Sequence, residues 1–332
     1  MKILVTGGLG YIGSHTVVEL LNRNYEVLVV DNLSNSKIEV LDKIDKICGK
    51  KPDFYEVDLR NKKDLEEVFK NNKIEFVIHF AGLKAVGESV KEPLKYYDNN
   101  INGTLVLLEL MNKYNVKNII FSSSATVYGK PEYLPIDEKH PLSTTNPYGA
   151  TKLFIEEILR DLYKSDNSFN ICILRYFNPV GSHESHLLGE DPNGIPNNLV
   201  PYVVKVATKK LDKLSIFGDD YDTKDGTGVR DYIHVVDLAI GHVKSLEYMI
   251  NNKGIITLNL GTGKGSSVLE LVKTFEKVNK IKVPYVITER RDGDIGTCYA
   301  DPSLAEKLLG WKAEKNLEDM LKDSSIYEKG VK

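Results

Sequence analysis

The stretch Lys2-Ile-Leu-Val-Thr-Gly-Gly-Leu-Gly-Tyr-Ile-Gly-Ser-His-Thr-Val-Val-Glu-Leu-Leu-Asn22 decides the fold. Its apolar, β-branched start, Lys2–Thr6, predicts a strand, and the 3.6-residue periodicity of Tyr11–Asn22 predicts an amphipathic helix. Between them, Gly8, Gly10 and Gly13 satisfy a Gly-x-Gly-x-x-Gly template, and Gly7, Gly10 and Gly13 a Gly-x-x-Gly-x-x-Gly spacing. Glycines placed this way permit a tight turn and bring the backbone close to a pyrophosphate at a helix N-terminus. A tight turn without a ligand fits the same spacing; the strand–loop–helix context favours a dinucleotide.

The same alternation continues outward. Apolar runs at Glu26–Val30, Asp53–Val57, Glu75–Phe80, Asn118–Ser122 and Asn170–Arg175 are separated by helical patterns such as Lys62–Lys70 and Asn102–Tyr114. Strands alternating with helices imply right-handed crossovers and a doubly wound parallel α/β sheet of the Rossmann type, with ligands at the carboxyl ends of the strands. Asp31 ends the second strand, where a carboxylate meets adenosine ribose hydroxyls; it would repel a 2′-phosphate, so NAD is expected rather than NADP. Asp58-Leu59 closes the third strand, within reach of an adenine; a helix N-cap before Lys62 is the competing reading of Asp58.

After about Phe177 the texture changes. A loop rich in His, Gly, Pro and Asn (Gly181–Asn198) leads into a helical segment, Leu199–Lys210. Shorter units follow at Leu214–Phe217, Tyr232–His234, Val235–Met249, Ile255–Leu260, Ser267–Asn279 and Val283–Ile287. Residues 1–177 read as a dinucleotide-binding domain and 178–332 as a smaller mixed α/β substrate domain.

Composition excludes several classes. The 332 residues are 42% hydrophobic and 27% charged, with a net charge of −3, so nucleic acid is not an expected partner. No run approaches the ~18 apolar residues of a membrane span. The first residues run directly into the glycine loop without a signal-peptide pattern, which makes the cytoplasm the expected address. Cys48, Cys172 and Cys298 match no disulfide or zinc spacing. His183-Glu-Ser-His186 lacks a zincin's glutamate and spacing, so no metal is expected.

The chemistry lies in Ser122-Ser-Ser-Ala-Thr-Val-Tyr-Gly129 and Asn146-Pro-Tyr-Gly-Ala-Thr-Lys152. Tyr148 and Lys152 are four apart, so on a helix they share a face. An ammonium beside a phenol favours the phenolate, and lowering the phenol from about 10 to near 7 takes about 4 kcal/mol. Ser124 ends the fifth strand, where its hydroxyl can meet an alcohol oxygen. Serines there are often only caps or turn formers. Glycine loop, serine strand end and Tyr-x-x-x-Lys in this order point to hydride transfer at a carbinol carbon.

With these motifs the chain resembles, over essentially its whole length, the extended short-chain dehydrogenase/reductase family, and within it the branch that inverts C4 of UDP-glucose. The resemblance extends to Phe80-Ala-Gly-Leu-Lys-Ala-Val-Gly-Glu-Ser89, Leu174-Arg-Tyr-Phe-Asn-Pro-Val-Gly181, Pro196-Asn-Asn-Leu199, Gly228-Val-Arg-Asp-Tyr-Ile-His234 and Arg290-Arg-Asp-Gly-Asp294. It implies tightly held NAD, reduced and reoxidised within each turnover, with Tyr148 as the proton carrier, Ser124 bridging the sugar 4-oxygen and Lys152 holding the nicotinamide ribose. Around the cofactor it implies Gly7, Gly10, Tyr11, Ile12, Gly13, Asp31 and Asn32. It adds Asp58, Leu59, Phe80, Ala81, Gly82, Lys84, Asn99, Ser122 and Tyr176. On the substrate it implies Lys84, Asn178, Asn198, Leu199, Phe217, Arg230, Arg291, Asp294 and Cys298, the arginines suiting a diphosphate through fork-like bonds.

Cys298 matches a sugar-pocket position that is tyrosine in some members and small in others, so 2-acetamido sugars are also expected to fit; a packing cysteine is the bland reading. A homodimer through Asn102–Tyr114 and Tyr148–Tyr163 is implied as well. Other readings are a C4 epimerase of a UDP-pentose or UDP-uronate, a net dehydrogenase, and a non-catalytic NAD-binding protein. A 4,6-dehydratase is disfavoured because Ala125-Thr126 follows Ser124 where such enzymes carry an Asp-Glu pair.

Overall fold

A computed structural model of the chain describes residues 1–330 apart from 192, 193, 195, 197, 292 and 293. The first half runs β1 (Lys2–Thr6), α1 (Tyr11–Asn22), β2 (Glu26–Asp31), α2 (Val40–Cys48), β3 (Asp53–Glu56), α3 (Lys62–Asn71) and β4 (Phe76–His79). Two short helices, α4 (Val86–Lys91) and α5 (Pro93–Tyr96), lead through a π-helical segment, Tyr97–Asn102, into α6 (Gly103–Lys113). Then come β5 (Asn118–Ser124), α7 (Pro147–Ser165) and β6 (Asn170–Tyr176).

The second half comprises β7 (Asn178–Val180), α8 (Leu199–Ala207), β8 (Leu214–Phe217), β9 (Val229–His234), α9 (Val235–Asn251), β10 (Ile255–Leu260) and β11 (Gly265–Ser267). It ends with α10 (Val268–Asn279), β12 (Tyr285–Thr288), β13 (Thr297–Cys298), α11 (Ser303–Leu309) and α12 (Leu317–Gly330).

The principal sheet has seven strands in the order β10-β6-β5-β4-β1-β2-β3, and all its pairings are parallel. Its central strands are buried on both faces, as β1 and β4 show, which is why their sequences are continuous apolar runs rather than alternating ones. One apolar core joins the sheet to α1 and α9, and a second joins its other face to α3, α6 and α7.

The seventh strand comes from residues 255–260, beyond the expected boundary at 177. The chain returns to the sheet after its excursion, and α9 packs on α1. A boundary at 177 therefore omits one strand and two covering helices, α9 and α11, from the large unit. Apart from α11, the rest of the second half builds a separate core from α8, α10, α12, β8 and β9, with β11 and β13 flanking β9, β7 also pairing with it, and a two-strand ladder β12–β8. A Ser267/Glu270 capping box starts α10, satisfying two helix N–H groups that would otherwise lack partners.

Candidate active site

The strand order reverses at β1, whose neighbours are β2 on one side and β4 on the other. At that crevice Gly7 adopts φ +67°, and a Cβ there would lie 2.8 Å from the Ala81 nitrogen. A Cβ on Gly13 would come 2.2 Å from the Gly7 carbonyl oxygen. Both positions need glycine, the first for its left-handed backbone and both for close approach. Helix α1 begins after Gly10 with no side-chain cap and no acidic residue in its first turn, so its N–H groups and positive dipole end are left for an anion. Phe80 and Ala81 bind back to the Thr6 carbonyl, which sets the next loop beside this cradle. The residues present fit a dinucleotide.

Asp31 closes β2 under the same loop. One of its oxygens accepts the Leu9 N–H at 3.1 Å, the other the Leu33 N–H at 3.0 Å and the Ser36 hydroxyl at 2.7 Å. The carboxylate thus ties the glycine loop to the end of β2. Asp58 is occupied by Arg60, in two side-chain bonds at 3.0 and 2.8 Å, and by the Asn32 amide at 3.0 Å. The hydrogen bonds from Arg60 hold its carboxyl well below the usual carboxylate range. The N-cap reading of Asp58 is incorrect: Asn61 caps α3, accepting the Asp64 N–H. Leu59 is buried beside Gly103. Asn99 is partly buried in the π-helical segment.

Its neighbour Asn100 had no signal in the sequence, yet it is buried and ties the Leu83 backbone, through both its N–H and its carbonyl, to the Thr151 hydroxyl of α7. Through it, the Gly82–Lys84 loop is fastened to the helix that carries Tyr148.

Helix α7 starts where expected. Pro147 occupies its first turn, and the Asn146 side chain accepts the Gly149 N–H at 2.9 Å, a cap worth ~1 kcal/mol. Tyr148 and Lys152 follow on one face. The Lys152 ammonium donates to the Ser122 carbonyl at 2.7 Å and stands 6.0 Å from the Tyr148 ring centre. Ser122 also hydrogen-bonds the Tyr176 hydroxyl from the neighbouring strand. Ser124 is a cap, its oxygen accepting from the Thr126 N–H at 3.2 Å and the Thr126 hydroxyl at 3.0 Å, and it lies beside the Tyr148 phenol, which it favours in the charged form.

The electrostatics differ from the sequence expectation in one respect. Burial pushes the Tyr148 phenol above its ordinary value, and only Ser124 opposes this. Lys152 is itself buried and pushed down to about 8. In the chain alone, burial therefore outweighs what favours the phenolate, although the Lys152 ammonium stands 6.0 Å from the ring centre.

The substrate-side residues form three groups. Lys84 and Asn198 converge on Glu190, at 3.0 and 2.7 Å, and Lys84 lies 5.9 Å from the Tyr11 ring centre. The Tyr11 hydroxyl reaches the Gly181 carbonyl at 2.7 Å, and Ile12 follows it in the first turn of α1. The Arg291 guanidinium stacks 4.5 Å from the Phe217 ring centre and pairs with Asp294 at 2.9 Å. Cys298 pairs with Arg230 in the β13–β9 ladder and packs against the cluster of Val127, Phe177 and Ala300. Asn178 is exposed at the start of β7, and Leu199 opens α8 after Asn198. Asn197 of the Pro196–Leu199 motif, and Asp292 and Gly293 of the arginine motif, lie outside the described residues.

Fold and site together define a short-chain dehydrogenase/reductase of the extended type. A family profile described as GDP-mannose 4,6 dehydratase matches residues 4–324. A UDP-glucose 4-epimerase of Bacillus subtilis is 63% identical over 324 residues, covering 98% of this chain and 96% of the relative. The structure of UDP-glucose 4-epimerase from Bifidobacterium longum in complex with NAD+ and UDP is 57% identical, with a TM-score of 0.97 over 100% of this chain and 99% of that one. That from Stenotrophomonas maltophila, with bound NAD and formylated UDP-arabinopyranose, is 48% identical, with a TM-score of 0.98 over 100% and 98%. The chain belongs to the UDP-glucose 4-epimerase family.

Proposed function

We propose that this protein inverts C4 of a UDP-hexose, interconverting UDP-glucose and UDP-galactose with bound NAD. The carrying observation is that Ser124, Tyr148 and Lys152 meet at the carboxyl end of β5, beside the glycine cradle, in a chain so similar to these epimerases. When bound, NAD supplies a hydride acceptor that returns the hydride in the second half-reaction, so net redox is zero.

The chain's own residues do the rest. Tyr148 takes the proton of the 4-hydroxyl and gives it back, Ser124 bridges that oxygen and the phenol, and Lys152 holds the nicotinamide ribose. Burial alone raises the phenol, so its activation belongs to the loaded site, where the oxidised cofactor adds positive charge. Gly7, Gly10, Tyr11, Ile12, Gly13, Asp31 and Asn32 hold the dinucleotide together with Asp58, Leu59, Phe80, Ala81, Gly82, Asn99 and Tyr176. Arg230, Arg291, Asp294, Phe217, Asn178, Asn198 and Leu199 anchor the UDP, which lets the 4-keto sugar turn over without escaping. The large sheet with α9, β10 and α11 serves the cofactor, and the remainder of the second half serves the UDP-sugar.

Three finer points belong to the same reading. Cys298 leaves room for a 2-acetamido group, so UDP-N-acetylglucosamine and UDP-N-acetylgalactosamine are substrates too. Leu105 on α6 and Phe154 on α7 are exposed apolar residues, 41% and 48% accessible, which supports a homodimer through these helices. No described helix is long and apolar enough to cross a membrane. The three free, scattered cysteines favour a reducing compartment, the cytoplasm. Action on UDP-pentoses is the second reading, favoured by the pentose ligand of the Stenotrophomonas neighbour.

Product analysis with UDP-galactose, UDP-N-acetylgalactosamine and a UDP-pentose, without added NAD, tests the proposal. Conversion of the first two is expected. Release of free NADH, or turnover of the pentose alone, overturns it.

A further inference from the structure

Behind the Tyr148/Lys152 turn lies a charged network that the reaction as described does not use. Glu156 follows Lys152 by four residues on α7, so Tyr148, Lys152 and Glu156 fall on one helix face. Its side chain has no solvent exposure, and that of Arg175 has 1%. Arg175 grips both carboxylate oxygens, through Nε at 2.9 Å and through Nη2. The Ser123 hydroxyl donates to the same carboxylate at 2.5 Å, and Arg160 approaches at 3.3 Å.

The neighbours make this placement informative. Ser123 lies between Ser122, whose carbonyl receives Lys152, and Ser124, which meets Tyr148. Arg175 pairs with Ser123 in the β5–β6 ladder and continues to the Tyr128 hydroxyl at 3.1 Å, which reaches Asn259 of β10 at 2.6 Å. One carboxylate therefore pins the reactive stretch of α7 to three adjacent strands. A buried ion pair of this kind seldom adds net stability over an apolar pair of equal volume, because desolvation offsets the attraction. Its presence here, one turn from the reacting groups, calls for another role.

We propose that Glu156, clamped by Arg175 and Ser123, is a positioning residue for the epimerisation, holding Lys152 in its charged form and in register with Ser122. The proposal rests on the assignment of Tyr148 and Lys152 made above. Burial drives the Lys152 ammonium toward its neutral form, and Glu156 is the charge that opposes this. The other titratable groups facing this turn are His79 from β4, Tyr176 from β6, Tyr96 from α5 and Tyr148 from α7 itself. His79 is pushed to about 3 by burial and by Lys152, so it is neutral near pH 7. Burial raises all three phenols, so they too are neutral in the chain alone. Arg175 lies beyond the carboxylate and acts on Lys152 through it.

The test is the pH profile of the NAD-loaded enzyme. Glu156→Gln should move the alkaline limb of kcat down by about one pH unit, and a 13C-lysine NMR titration should show the same shift for Lys152 itself. Glu156→Asp should restore part of the shift. An even loss of kcat across pH, with limb and lysine titration unmoved, would reduce Glu156 to a packing role and overturn the proposal. Glu156→Gln alone leaves Arg175 unpaired, so Glu156→Gln/Arg175→Gln is the second variant. It should fold and titrate early as well, and a wild-type limb in it also overturns the proposal. If Tyr148→Phe or Lys152→Met keeps full turnover, the underlying site assignment fails; if both are inactive while the Glu156 variants titrate normally, only the positioning role fails.

Discussion

The Lys152 ammonium is bound to the Ser122 carbonyl at 2.7 Å, across 30 residues of chain. That bond fixes α7 against the end of β5 and sets the distance between the lysine and the phenol it accompanies. It leaves the ammonium 6.0 Å from the Tyr148 ring centre, while burial still pushes the phenol above its ordinary value.

Because burial pushes Lys152 down to about 8, its positive charge is complete well below that pH and lost as pH rises through it. Uptake of NAD by cofactor-free protein should therefore weaken above about pH 8. Titrating NAD binding by fluorescence from pH 6.5 to 9.5 checks this. Lys152→Arg, charged throughout, should bind with no such decline.

Asp31 should govern the choice of cofactor. Asp31→Asn keeps the shape of the side chain but removes the charge that repels a 2′-phosphate. The preference for NAD over NADP should fall by about 10-fold or more, consistent with the ~1.5–3 kcal/mol of a hydrogen bond to a charged group. Competition binding of the two dinucleotides measures the ratio, and an unchanged ratio would assign Asp31 only to holding the Leu9 and Leu33 amides.

Cys298→Tyr should place a much larger side chain at a position packed beside Phe177 and Val127. Its kcat/KM with UDP-N-acetylgalactosamine is expected to drop by about 10-fold or more, while that with UDP-galactose changes little. Parallel losses on both sugars would mean that this side chain packs rather than selects.

Three buried histidines should make the fold sensitive to acid. Burial lowers His15 and His79 to about 3 and His242 to about 4. The unfolded values lie near 6.5, so the unfolded chain takes up protons first as pH falls. Stability is full above about pH 6.5 and is lost progressively toward pH 4. Urea midpoints should fall between pH 7 and 5, and less steeply in His242→Phe, whose ring keeps its packing on Phe80 and Tyr176. A flat midpoint over that range would contradict the assignment.

Much of the architecture was legible because its signals are local. Tyr11–Asn22, Leu214–Phe217 and Ile255–Leu260 have the bounds their periodicity suggests. The region 86–102 was not legible: Pro93 breaks its helical pattern at Glu92, because the residue before a proline is biased away from helix, and Gly87 weakens the helical signal of α4. The two-residue strand Thr297–Cys298 has no signal of its own, since only pairing with Val229 and Arg230 defines it.

The sequence by itself determined the glycine cradle, the carboxylate at the end of β2 and the shared face of Tyr148 and Lys152. Each follows from a spacing of a few residues, set by a turn, a strand end or the helical period. Tertiary structure alone decided that β10 would complete the sheet, that Glu156 would meet Arg175, and that Lys84 and Asn198 would share Glu190, 106 residues from Lys84. These partners are brought together by the burial of separate apolar faces, and no local spacing records which distant face will arrive.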